Sequence, residues 1–158
     1  MAQRVKSALM AAANPTDGYN EDRCHFDSHV GAGCIDLADA VYNSTNYTVS
    51  VSAGNPVGSE VYSFYQYLNE GEEVDISAAW HLIKPQSNTD LGYLTDYDIR
   101  LYNDNISSYP RSNTRFSNVE LLRYTAEVTG YYRIVVYQYG AMPSGNTAGD
   151  SISLTVNK

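Results

Sequence analysis

The sequence predicts a mainly β protein, an antiparallel sandwich of about seven strands preceded by a short helical segment. Three observations carry this. Apolar and polar residues alternate with a period of two in one segment after another from Tyr47 to Val156, the spacing that buries one face of a strand and wets the other. Gly- and Asn-containing turns separate these segments. The chain of 158 residues holds 15 tyrosines and has 43% hydrophobic content, enough for a full core.

Taken in order, QRVKSALMAAA (residues 3–13) is rich in helix formers, with Val5, Ala8, Leu9 and Ala12 on one side at helical spacing. Asn14-Pro15 stops it, because a residue before proline is pushed out of the α region. A polar loop follows, then a short helix that Asp36 would cap, containing Leu37, Ala40 and Val41. These pieces are too small to stand alone. The apolar face built on Val5 and Leu9 is therefore expected to dock on the sandwich or to drive self-association.

The strand segments come next. NYTVSVSA points Tyr47, Val49 and Val51 to one face, and VYSFYQYL points Tyr62, Phe64 and Leu68 inward with Ser63, Tyr65 and Tyr67 opposite. EVDISAAW places Val74, Ile76, Ala78 and Trp80 inward, with Glu73, Asp75 and Ser77 toward water; the lone tryptophan is a core residue. After a polar insert, DYDIRLYN sends Tyr97, Ile99 and Leu101 inward. The polar stretch DNISSYPRSNTRFSN is read as a loop, and VELLRYTAEV as a strand. YYRIVVYQY buries Tyr132, Ile134 and Val136 and turns Tyr131, Arg133, Tyr137 and Tyr139 outward, and SISLTV closes the fold through Ile152, Leu154 and Val156.

The net charge of −8 argues against a nucleic-acid partner, which needs a positive surface. No apolar run approaches the roughly 18 residues that cross a bilayer. VKSALMAAA fits neither a span nor a signal peptide, so an export signal is expected upstream. Cys24 and Cys34 would close a short loop as a disulfide in an oxidising compartment; two free thiols, or a metal site with His25 and His29, are the alternatives. Asp96 and Asp98, two apart on one strand, are candidate ligands for a hard cation such as calcium, against the alternative of a solvated strand face. Glu70, Glu72 and Glu73 read as a solvated turn. Tyr65, Tyr67, Tyr131, Tyr137 and Tyr139 beside Arg133 form a candidate binding face for protein or polysaccharide, unless another part of the chain packs there. His25, His29 and His81 lack a serine motif and read as surface or loop residues.

Two resemblances organise these pieces. Val5-Lys6-Ser7-Ala8-Leu9-Met10 with Ala12-Ala13, then Gly31-Ala32-Gly33-Cys34-Ile35-Asp36 and Ala38-Asp39-Ala40-Val41, resembles the C-terminal end of a subtilisin-like serine protease domain, over about a quarter of the chain. The Glu70-Gly71-Glu72 turn into VDISAAW, then TDYDIRLY, SNVELLRYTA and TGYYRIVV, resembles a bacterial pre-peptidase C-terminal domain, over about 100 residues. The second resemblance implies a jelly-roll-like sandwich appended to secreted proteases. It also implies calcium in some members, and tyrosines on a strand surface in members that hold collagen.

Together they imply residues 1–43 as a helix–loop–helix protease tail and residues 44–158 as an accessory sandwich, in a secreted bacterial protein whose partner is the upstream protease domain of the same polypeptide. The family's catalytic serine stands in a Gly-Thr-Ser-Met-Ala motif N-terminal to the matched helix and is not in this sequence, so no catalytic residue is assigned and the fragment is expected to be catalytically silent. In a bacterial setting the sequons at Asn43, Asn46 and Asn105 are coincidental.

Overall fold

The computed structural model describes residues 2–14, 34–35, 40, 42–81, 94–113, 117–142 and 149–158. Among them stand one helix, α1 (Ala2–Ala11), and ten strands: β1 (Ala13–Asn14), β2 (Cys34–Ile35), β3 (Ser44–Val51), β4 (Ser59–Leu68), β5 (Glu73–Ala79), β6 (Tyr97–Tyr102), β7 (Arg111–Ser112), β8 (Val119–Thr125), β9 (Gly130–Gln138) and β10 (Asp150–Asn157). β1 and β2 form a small antiparallel pair. The other eight make two four-stranded sheets, in the orders β3-β10-β5-β8 and β4-β9-β6-β7.

The pairing is nested. β3 bonds to β10, β4 to β9, β5 to β8 and β6 to β7, all antiparallel, as though one long hairpin were rolled up. Contacts of β10 with β5 and of β9 with β6 then join the pairs side by side. Eight strands in this order are a jelly roll. The short strand β7 lies inside the stretch read as a loop from the sequence. At two residues it carries no detectable alternation of its own.

Alternation fixes which residues fill the space between the sheets. Leu68, Ile76, Ala78, Trp80, Tyr97, Ile99, Leu101, Tyr132, Ile134, Val136, Ile152 and Leu154 are fully buried there. A polar bridge crosses the core at one end. Trp80 Nε1 donates to the Thr95 carbonyl at 2.9 Å, while Thr95 Oγ1 and Tyr97 Oη donate to Asp150 Oδ2 at 2.5 and 2.8 Å. Burial beside that carboxylate pushes the Tyr97 hydroxyl far above its ordinary range. Asp150 opens β10 directly after Gly149, whose φ of +79° and whose missing Cβ, which would stand 2.1 Å from the Val51 carbonyl oxygen, admit no other residue. At the edge formed by β7 and β8, Ser112 donates to the buried Glu120, a second link between sheets.

The helix docks on the sandwich, but through a different face from the one expected. Ser7, Met10 and Ala11 are buried, whereas Val5 is 54% exposed. The reason is steric and polar. On β5 and β10 the outer face of the β3-β10-β5-β8 sheet carries small side chains, so the helix approaches closely there; Ser7 Oγ meets Thr155 Oγ1 at 2.8 Å and Ser77 Oγ donates to the Ser7 carbonyl at 2.5 Å. Met10 packs with Ala79, Val119 and Leu121, and Arg123 donates to the Ala13 carbonyl and to Asp75 Oδ2. Ser77, expected to be wet, is thereby fully buried. The helix also ends earlier than expected, at Ala11, because Ala13 and Asn14 turn into a strand opposite Cys34 and Ile35. The second short helix expected around Leu37 lies outside the described residues, apart from Ala40.

Candidate functional site

Both sheets have an outer face. That of β3-β10-β5-β8 is occupied by α1; among the described residues no helix or further strand packs on that of β4-β9-β6-β7. The strand registers assemble this second face row by row. Tyr67 of β4 stands opposite Tyr131 of β9, and Tyr65 opposite Arg133, which in turn faces Tyr102 of β6. One step along, Val135 faces Arg100 of β6, and Arg100 faces Arg111 of β7; at the far end Tyr137 lies between Glu60 and Asp98.

Five of the six expected binding residues are therefore brought together: Tyr65, Tyr67, Tyr131, Arg133 and Tyr137. Tyr65 and Tyr131 are each 67% exposed, and the Tyr67 and Tyr131 rings meet edge to face at 5.1 Å. Arg133 is held by Glu60, whose two carboxylate oxygens lie 2.7 and 2.5 Å from Nη2, and by Ser63 Oγ at 3.2 Å. Tyr137 is half-buried beneath the Arg100 guanidinium, 4.7 Å above its ring. A hydrogen bond with the Tyr102 hydroxyl, together with burial, raises the Tyr137 pKa. Tyr139 is exposed just past the end of β9, where its N–H bonds the Asp96 carbonyl at 2.8 Å.

Sequence reasoning missed the other half of this face: Arg100, Tyr102, Tyr109 and Arg111. The alternation of DYDIRLYN already turns Arg100 and Tyr102 outward, so that signal was present. Tyr109 and Arg111 sit in the stretch read as a loop, and their placement follows only from β7 pairing with β6. The Tyr102 and Tyr109 rings pack at 4.8 Å, tilted by 51°.

Asp98 is buried on this face and meets Arg100 Nη2 at 3.4 Å, while Asp96 precedes β6. Burial pushes the Asp98 carboxyl above the usual aspartate range, against the pull of Arg100 and Arg111. A carboxylate facing guanidinium groups and a phenol ring does not fit a hard cation such as calcium, which wants several oxygen ligands. Among the described residues no three His, Cys, Asp or Glu side chains gather in a way that could hold a metal. Cys24, His25 and His29 lie outside the described residues, and with them the proposed disulfide partner of Cys34. His81 is exposed, with Nδ1 2.6 Å from Gln3 Nε2. The turn holding Glu70, Glu72 and Glu73 is knit more closely than expected, since Glu72 accepts from the Asn69 N–H at 2.9 Å and pairs with Lys158 at 3.2 Å. Among the described residues no helix is long and apolar enough to cross a membrane.

No protein-family model and no curated protein matches the chain. Among solved structures it is similar to PliG of Salmonella Typhimurium, a periplasmic lysozyme inhibitor of g-type lysozyme, at 15% identity and a TM-score of 0.40, over 73% of this chain and 90% of that one. It is similar to PliG of Aeromonas hydrophila at 12% identity and a TM-score of 0.40, over 73% of this chain and 85% of that one. A protein of Sulfurospirillum deleyianum is matched at 9% identity and a TM-score of 0.41, over 72% of this chain and 96% of that one. Likenesses at these scores carry nothing about function, and the jelly roll assigned above rests on this chain's own strand pairings.

Proposed function

We propose that this chain is the non-catalytic C-terminal region of a secreted subtilisin-like endopeptidase, and that its sandwich attaches the enzyme to a protein substrate through the outer face of the β4-β9-β6-β7 sheet. The protease assignment is supported by the two residue patterns, found in the order such an enzyme would have them. The binding role is supported by one observation: large aromatic side chains stand uncovered on that face, with Tyr65 and Tyr131 each 67% exposed. Their company favours protein over sugar. Tyrosine and arginine are the residues enriched at protein contact hot spots, and the basic groups in these rows are Arg100, Arg111 and Arg133, with no lysine. The ring pairs meet at 71° and 51°, so they offer ridges and notches rather than a flat stacking floor.

Retention on insoluble collagen, chitin and cellulose tests the binding role. The intact chain is expected to be retained on the protein matrix, and the Tyr65→Ala, Tyr131→Ala double variant to be released. Retention on chitin or cellulose alone would select a free-standing polysaccharide-binding module instead. The reading frame upstream tests the parent: it should encode an Asp, a His and a Gly-Thr-Ser-Met-Ala serine, and their absence would remove the protease assignment.

A further inference from the structure

The tyrosine face has two halves whose charges are handled differently. In the β4-β9 half, Arg133 Nη2 is paired with both carboxylate oxygens of Glu60, at 2.7 and 2.5 Å. In the β6-β7 half, Arg100 and Arg111 stand directly opposite each other in the antiparallel register, on the same side of the sheet as Tyr102. Cross-strand partners hold their Cβ atoms about 5 Å apart, where like charges destabilise the sheet. Arg111 is exposed, and the ion pair of Arg100 with Asp98 is long at 3.4 Å where charge-assisted bonds run shorter.

We infer that the opposed Arg100–Arg111 pair receives a carboxylate side chain of the bound polypeptide, flanked by the Tyr102–Tyr109 rings. This rests on the protein-binding reading above and adds to it a chemical requirement on the partner. Exposed Arg111 offers a forked donor to such a carboxylate, and a negative charge arriving there relieves the repulsion from Arg100 across the register. The rings beside them, 4.8 Å apart, accept the apolar neighbours of the acidic residue. Charge selects further. The chain as a whole carries −8, so a polyanion is repelled at long range, whereas an isolated acidic residue between apolar ones meets the locally positive strip without that penalty.

The test uses the whole chain and two short synthetic peptides, one with single glutamates spaced between tyrosine and proline, the other with glutamine in their place. Calorimetric titration is expected to show the glutamate peptide bound on the order of tenfold more tightly. Arg111→Gln should erase that difference, the glutamate peptide binding no more tightly than the glutamine peptide; Arg111 is exposed on a two-residue strand, so an unchanged melting temperature checks its fold. Arg111→Lys should keep part of the preference. Equal affinity for the two peptides, or a preference that survives Arg111→Gln, overturns the inference, as does binding of neither. The two readings fail separately: if Tyr65→Ala with Tyr131→Ala leaves both peptides bound as before while Arg111→Gln still abolishes the preference, it is the tyrosine platform and not the arginine pair that is wrong.

Discussion

The two outer faces of the sandwich are built on the same jelly roll and finished in opposite ways. On β3-β10-β5-β8 the outward positions are small or are reached by the helix, and Ser77, Ala79 and Thr155 lie fully buried under α1. On β4-β9-β6-β7 most of the outward positions are tyrosines and arginines, with Tyr65 and Tyr131 mostly in water. Small side chains let a helix come close; large rings hold neighbours off and keep their area for something arriving from outside. Side-chain size at the outward positions thus separates a face that closes within the chain from one left for a partner.

The comparison can be broken from the inside outward. Asp150→Ala removes the acceptor of two buried donors, Thr95 Oγ1 and Tyr97 Oη, at the junction both sheets share, and is expected to cost on the order of 3 kcal/mol in urea unfolding. A loss well under 1 kcal/mol would mean that the bridge does not tie the sheets. Ser77→Leu tests the covered face: a larger side chain beneath the helix should cost about 1–3 kcal/mol and make residues 2–13 more susceptible to protease. Should the variant be as stable and as resistant as the parent, the helix is not seated there.

Asp98 probes the uncovered face by pH. Its carboxyl is held above the usual range by burial, opposed by Arg100 and Arg111, with Tyr137 and then Glu60 next along the row. The folded chain therefore binds that proton more readily than the unfolded one. The stability Asp98 contributes is complete below the ordinary aspartate range and is lost as pH rises through the raised value. Asp98→Asn should abolish that loss in unfolding series across the acid range, whereas an identical pH profile in both proteins would show the shift to be absent. Smallest of all, Tyr65→Ser with Tyr131→Ser should change stability by no more than about 1 kcal/mol, as exposed positions do, even where binding is lost. A larger drop would show that the rings belong to the fold rather than to a site.

Much of the interior was legible in the sequence because alternation is local. Trp80, the triad Tyr132, Ile134 and Val136, and the triad Ile152, Leu154 and Val156 all point where a period of two sends them. The helix was legible as a helix but not in its orientation. Val5 and Leu9 mark an apolar side, yet the receiving sheet offers Ser77 and Thr155 beside a patch that takes Met10, and only the sheet's own surface decides in favour of Ser7, Met10 and Ala11. Buried polar residues such as Glu120 and Asp150 were invisible for the same reason, their partners being elsewhere in the chain. Parity alone turned Tyr65, Tyr67 and Tyr131 outward. That Tyr67 meets Tyr131 and that Arg100 meets Arg111 depends on register between strands, which no local pattern carries.

The nested order of strand pairs also bears on how quickly the chain finds its shape. The loop between β6 and β7 is the shortest to close, and each pair outside it, β5 with β8, β4 with β9 and β3 with β10, must bridge a longer span. Such long-range pairing makes for slow acquisition of structure, advancing like a zip from the Tyr102–Arg111 turn. Substitutions near that turn should then retard refolding, and those where β10 clasps β3 should mainly hasten unfolding.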